Sequence, residues 1–310
     1  MSAFYAPLNH ETLLQIHGPD AQTFLQGQTT CDVRQVNPQA AKPGAYCNPK
    51  GRMWADFLLF SLGSERYGLR LRADIADTTR DTFAKYIMFS KAEIEQDPAW
   101  QVLACWGPDS ASALLTLCGA LPDQQYGCVS GEGFCLVQID RQGQQFELYV
   151  NSSIGEDLLQ SLASSLNQAP AEQWQLLQIE AGIGRIENST VASFLPQVLN
   201  YDLLSYINFK KGCYTGQEVV ARLHYRGKSK RRLYIAKSNN NVPAKAGTEI
   251  NADQGTQACG TVVNALAAPD GGSIMLVSVA ENALDKSLRL MGESDVLSVS
   301  PPPYPLEKDA

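Results

Sequence analysis

Two apolar periods recur along this chain, and they predict alternating strands and helices. Strand-like runs at 44–47, 52–60 and 66–72 are separated by the turn sequences Asn48-Pro49-Lys50-Gly51 and Leu62-Gly63-Ser64-Glu65. That pattern predicts an antiparallel meander. A helix over 74–88 follows, with Ile75, Phe83 and Ile87 on its apolar stripe and Thr79 interrupting it. Ahead of the meander, Asp20 is positioned as the N-cap of a short helix carrying Phe24 and Leu25.

The stretch 91–166 repeats this organisation. Strands are expected at 91–95, 101–106, 134–139 and 146–150, and helices at 110–117 and 156–166. Gly143, within 140–144, turns the last two strands into a hairpin. A further helix over 171–181 places Trp174 and Leu177 on one face, and a loop-rich segment runs from 182 to 208. Beyond about residue 228 the helical period disappears. Short β-type runs at 232–236, 260–264, 274–279, 288–290 and 296–299 alternate with Gly, Asn, Pro and Asp, which predicts a small C-terminal β-barrel or sandwich. The tail Pro301-Pro302-Pro303 is expected as an extended surface segment.

Composition narrows the class. The chain has 310 residues, 44% hydrophobic and 18% charged, enough for a sizeable core and about two domains. No apolar run approaches the ~20 residues of a membrane helix, and Met1-Ser2-Ala3-Phe4-Tyr5 does not read as a signal peptide. Eight cysteines without a CxxC pair, together with three scattered histidines, give no closely spaced metal-ligand motif. They predict reduced thiols in a cytoplasmic protein.

Net charge is −7, but it is unevenly spread. Residues 209–237 hold nine Lys/Arg against one acid, Glu218, for a local +8, and the remainder carries −15. Such a concentration predicts an anion-binding segment, the alternative being a solvated basic face. Inside it lies Lys210-Lys211-Gly212-Cys213-Tyr214-Thr215-Gly216-Gln217-Glu218. Thr215 and Glu218 fit a capping box for a helix over about 216–226. Cys213 would sit near the positive end of that helix beside Lys210 and Lys211, which favours its thiolate. Gly212 and Gly216 would let backbone approach a ligand. The competing reading is a buried cysteine in a tight turn.

Lys211-Gly212-Cys213-Tyr214-Thr215-Gly216-Gln217-Glu218 resembles the signature of the YgfZ family, folate-binding proteins related to the glycine-cleavage T-protein (aminomethyltransferase). The likeness extends to Gly18-Pro19-Asp20-Ala21, Phe24-Leu25-Gln26-Gly27-Gln28, Lys50-Gly51-Arg52-Met53-Trp54, Gln178-Ile179-Glu180-Ala181-Gly182 and Phe194-Leu195-Pro196-Gln197. The resemblance implies an α+β fold: a T-protein-like folate-binding arrangement of two α+β units plus a C-terminal β-barrel around a central folate site. Its expected parts are 1–90 with 167–227, then 91–166, then 228–310.

By resemblance the cofactor is tetrahydrofolate or a folate derivative. Glu180 would accept N–H bonds from the pterin and Trp174 would stack on an aromatic ring of folate, unless it anchors the helix in the core. Arg222 and Tyr214 join the folate-binding set. Cys213 would be the reactive thiol, Lys211 (with Arg222) its electrostatic partner or a contact for the folate glutamate tail, and Asp56 an acid that positions or protonates a one-carbon group. One departure is that Glu11 stands where some members carry a second tryptophan. The implied role is a tetrahydrofolate-binding accessory protein for iron–sulfur enzymes and tRNA modification. Folate-dependent aminomethyl transfer or demethylation is the alternative, and direct tRNA binding through the basic segment the third reading. Implied partners are folate, iron–sulfur enzymes or assembly proteins and tRNA, with no membrane.

Overall fold

The computed structural model describes residues 2–253 and 257–306. Six α-helices are present among them: Ala21–Gln28 (α1), Ala76–Ile87 (α2), Ser110–Cys118 (α3), Glu156–Ser165 (α4), Ala171–Glu180 (α5) and Gln217–Arg226 (α6). With three sheets they make an α+β protein, as expected. The chain divides into two compact units. The first holds the residues up to Ala45, Ala55–Trp174 and Lys210–Tyr214; the second holds Tyr46–Trp54, Gln175–Phe209 and the residues from Thr215 onward.

The first unit contains the predicted meander in a five-stranded sheet, ordered Lys42–Cys47, Met53–Gly63, Arg66–Arg72, Glu11–His17, Glu93–Glu95. Its second sheet has six strands, ordered Asn167–Gln168, Phe4–Pro7, Trp100–Trp106, Gln145–Asn151, Phe134–Gln138, Cys128–Gly131. Helices α3 and α4 supply Leu114 and Leu162 to a core with Leu103, Leu136, Phe146 and Leu148 from this sheet. The opening strands Phe4–Pro7 and Glu11–His17 lie where the pattern gives no strand. Buried Glu11 and Gln15 break the polar–apolar alternation of the second. Asp20 also differs from expectation. It makes no side-chain cap to α1 and instead accepts the Lys91 amide at 2.8 Å, which ties the start of α1 to the 91–95 segment.

A buried polar network links the two sheets of this unit. Arg70 donates from Nε and Nη2 to both oxygens of Glu147, each at 2.9 Å, and its Nη1 lies 3.6 Å from Glu11. The Tyr149 hydroxyl also donates to Glu147. Burial first, and then the adjacent Glu147 carboxylate, pushes the Tyr149 phenol well above its ordinary pKa. Phe60 stacks on Tyr149 with centroids 4.1 Å apart. Glu11 is therefore a member of an ion-pair network.

The second unit is built on a six-stranded antiparallel sheet, ordered Leu288–Leu290, Glu249–Ala252, Ala258–Ala267, Ser273–Ala280, Arg231–Ser238, Ser298–Ser300. Tyr234, Ile250, Val262, Met275 and Val277 form its core. The strand expected at 260–264 runs on to Ala267 because a register shift between Val262 and Asn264 absorbs the break in alternation. The proline tail is pinned as well as extended: the Tyr304 hydroxyl donates to the Gly182 carbonyl at 2.8 Å and accepts from Asn200 at 3.2 Å.

Replacing only the cation of a buried ion pair strands its carboxylates. Arg70→Met is expected to cost about 3–5 kcal/mol in urea unfolding, whereas Arg70→Met with Glu147→Leu recovers most of that loss.

Candidate functional site

In the first unit, α1 ends in a turn whose carbonyls converge on one point. The Lys211 ammonium, 6% exposed, donates to the carbonyls of Gln26 at 2.8 Å, Thr29 at 2.6 Å and Cys31 at 2.7 Å. All three N–H bonds are used. The turn is braced from its other side. Thr29 Oγ1 donates to Leu25, and Gln26 bridges Asp32 Oδ1 and the Val33 amide. Arg34 binds both oxygens of Asp32 at 2.8 Å. The Arg34 hydrogen bond, aided by Gln26, holds the Asp32 carboxyl down at about 2. Burial pushes the Cys31 thiol up, against the pull of Lys211. Burial also pushes Lys211 down to about 8, with Cys31 and Asp32 acting in the opposite direction. The Tyr214 ring lies 5.2 Å from the ammonium, a cation–π contact.

Lys211 is therefore directed at backbone carbonyls. Cys213, two residues on, is exposed, and open space surrounds Gly212 where a Cβ would stand. Asp56, 1% exposed, sits on the strand Met53–Gly63. Trp174, 2% exposed, packs on Trp106 with ring centroids 6.0 Å apart.

In the second unit, Glu180 ends α5 exposed to solvent, and Arg222 is exposed on α6. The helix begins at Gln217 rather than directly after the expected Thr215 cap. The N-cap of α6 is Gly216, left-handed at φ 81°, with no side-chain cap. A Cβ there would meet the Asn48 carbonyl at 2.4 Å, because the turn at 48–52 presses on the helix start. Gly216 thus serves approach of protein backbone. The turn itself forms as predicted, with Asn48 Oδ1 accepting the amides of Lys50 and Arg52.

Sequence reasoning missed the 26–31 carbonyl cradle and the Arg70–Glu147 pair. A charged residue inside an apolar strand, as in Leu69-Arg70-Leu71 and Phe146-Glu147-Leu148, was the available signal for the pair. Gln178 on α5 was also overlooked as a single residue: its amide nitrogen is buried without a partner. Among the described residues no group of three or more His, Cys, Asp and Glu could hold a metal, and no helix is long and apolar enough to cross a membrane.

Lys211 carries a pH signature. Its folded pKa of about 8 lies below the ~10.4 of an unfolded lysine, so the unfolded chain binds more protons between those values. Stability from this residue therefore rises with pH across that window. Between about pH 8 and 10 the wild type should gain about 2 kcal/mol relative to Lys211→Met, read as diverging urea midpoints. Parallel curves would contradict it.

The family described as GCVT N-terminal domain matches residues 6–211. The chain is 34% identical over 310 residues to the tRNA-modifying protein YgfZ of Pectobacterium atrosepticum, covering 98% of this chain and 92% of that one. It is 31% identical over 305 residues to the protein of the same name from Escherichia coli O127:H6, covering 97% and 93%. Among solved structures, the glycine cleavage system aminomethyltransferase T from Bartonella henselae superposes with a TM-score of 0.77 at 16% identity, covering 99% of this chain and 86% of that one. The likeness is one of fold. With the YgfZ octapeptide intact at 211–218 and full-length relatives above 30% identity, the chain belongs to the YgfZ family of GCVT-domain proteins.

Proposed function

We propose that this protein binds tetrahydrofolate and acts in the cytoplasm as an accessory to iron–sulfur enzymes, including those that modify tRNA. The observation that carries the reading is the captured Lys211 ammonium. It fixes the start of the octapeptide by three hydrogen bonds and leaves Cys213 exposed on the next turn. A thiol held on a rigid turn can meet a protein partner without losing the order of the turn. The relatives named tRNA-modifying support the link to RNA modification.

The residues fit a pterin in their chemistry. Glu180 offers an exposed carboxylate acceptor, and Gln178 a buried N–H donor lacking a partner; an aminopyrimidinone presents both complements. Arg222, exposed and cationic, suits the carboxylates of a glutamate tail. Bound tetrahydrofolate supplies a carrier for one-carbon units. Asp56, a buried carboxylate on a GCVT-domain strand, supports the second reading, folate-dependent aminomethyl transfer or demethylation.

Titration of the purified protein with tetrahydrofolate, followed by calorimetry, tests the first reading. Glu180→Gln should weaken binding about 10-fold or more, the worth of a charge-assisted pair. Cys213→Ser should leave folate affinity unchanged while lowering modified nucleosides in cellular tRNA, measured by mass spectrometry. Full nucleoside levels in the Cys213→Ser strain would remove the thiol from the function. Release of methylene-tetrahydrofolate from an aminomethyl donor would instead establish the second reading.

A further inference from the structure

The second unit contains a recess that the folate reading leaves unused. It encloses about 420 Å³ beside the C-terminal half of α6, bordered by Gln197, Asp202, Leu223, His224, Lys228 and Arg232. Gln197 is 1% exposed; its Nε2 donates to the Val220 carbonyl at 2.7 Å, while its Oε1 is buried with no partner. Arg232 binds Asp202 at 2.7 and 3.2 Å and the Gln197 carbonyl at 2.9 Å. Gln197, which borders the recess, therefore carries a buried acceptor without a donor, and the arginine beside it already has acceptors. A buried acceptor left unmatched costs free energy that an incoming N–H group would recover.

The rim has a different character. The His224 ring lies on Phe209 with centroids 3.6 Å apart and 10° between planes, and Tyr225 meets both rings edge-on. Tyr225 is 66% exposed, an aromatic face open to solvent. Arg222, Arg226, Lys228 and Lys230 are exposed along the same helix and the turn after it. They are four of the cations of the +8 segment that remain at the surface once Lys211 is buried.

The three features select one ligand chemistry. The unmatched acceptor calls for an amino-bearing ring, the open aromatic face for stacking on a planar group, and the cationic rim for phosphates. A bare anion would meet the Asp202 carboxylate that borders the recess, and an apolar peptide would have to cross the cations. The volume suits a single nucleoside, and an exposed stacking platform beside basic residues is a common way of holding single strands. We infer that this recess and Tyr225 bind single-stranded RNA, with one amino-bearing base seated against Gln197 and a neighbouring base on Tyr225. The inference rests on the RNA-linked part of the function proposed above and makes the contact with RNA direct.

The test is fluorescence anisotropy on the full chain without folate, at about 50 mM salt. The probes are an oligoadenylate of about eight nucleotides and an oligomer of purine riboside of equal length, which lacks the 6-amino group. The oligoadenylate should bind at least about fivefold more tightly. Tyr225→Ala should weaken it about 5-fold or more, the worth of one stacked base. Lys228→Gln should lower the salt slope by about 0.7, one phosphate contact on a single strand. Gln197→Leu should equalise the two oligomers; if that buried variant fails to fold, the wild-type comparison and the surface variant Tyr225→Ala decide. Equal affinity for both oligomers, an unaltered Tyr225→Ala, or no binding overturns the inference. So does AMP binding as tightly as the oligomer, which would assign the recess to a free mononucleotide. Folate affinity is not read in this experiment, so failure here leaves the folate reading standing, and loss of that reading leaves this result intact.

Discussion

A buried ammonium and a ring of backbone carbonyls each carry a desolvation penalty, and in this protein each offsets part of the other's. Lys211 reaches the carbonyls of Gln26, Thr29 and Cys31, about 180 residues earlier in the chain. Without the lysine, the turn after α1 would bury acceptors with no donor. Without the turn, the lysine would bury a charge with no partner. The tie closes a long loop and fixes the octapeptide at its first residue, so Gly212 and Cys213 are presented from an anchored point. It also removes one cation from the basic segment, and the electrostatics of the surface pass to its exposed members, Lys210, Arg222, Arg226, Lys228, Lys230 and Lys237.

The Arg70 network obeys the same rule elsewhere in the first unit. Two carboxylates and a phenol share one guanidinium between two sheets, with the Phe60–Tyr149 stack beside them. A buried pair of this kind adds little over a well-packed apolar one, yet it tolerates few alternative registers, because a slip by one residue would turn Arg70 or Glu147 to the opposite face. Glu11 belongs to this arrangement.

Much of the fold was legible in local pattern. The helix expected over 74–88 includes α2, Ala76–Ile87, and the one expected over 216–226 includes α6, Gln217–Arg226. The strand expected at 274–279 lies within Ser273–Ala280. Elements escaped where tertiary partners outweighed alternation. Glu11–His17 buries Glu11 and Gln15, which find Arg70 and Arg66 only after the sheet assembles. The start of α6 shows the same limit: Gly216 stands at the N-cap, because the approach of Asn48 requires a backbone without Cβ at positive φ. Trp174 illustrates it again: an aromatic residue on a helix face reads equally as a stacking platform or a core anchor, and its packing on Trp106 has no signature in the local pattern.

The sequence by itself determined most strands and helices and the octapeptide, because periodicity and motif spacing are local properties of the chain, and the octapeptide's resemblance carried the family and its α+β class. The tertiary structure alone decided where each charge in that octapeptide points. Lys210 and Lys211 are neighbours of like charge, but one faces solvent and the other fills a cradle assembled from distant residues. The direction of a side chain depends on which unsatisfied groups folding brings within hydrogen-bond reach, and those acceptors carry no signature in the sequence, since every residue has a carbonyl.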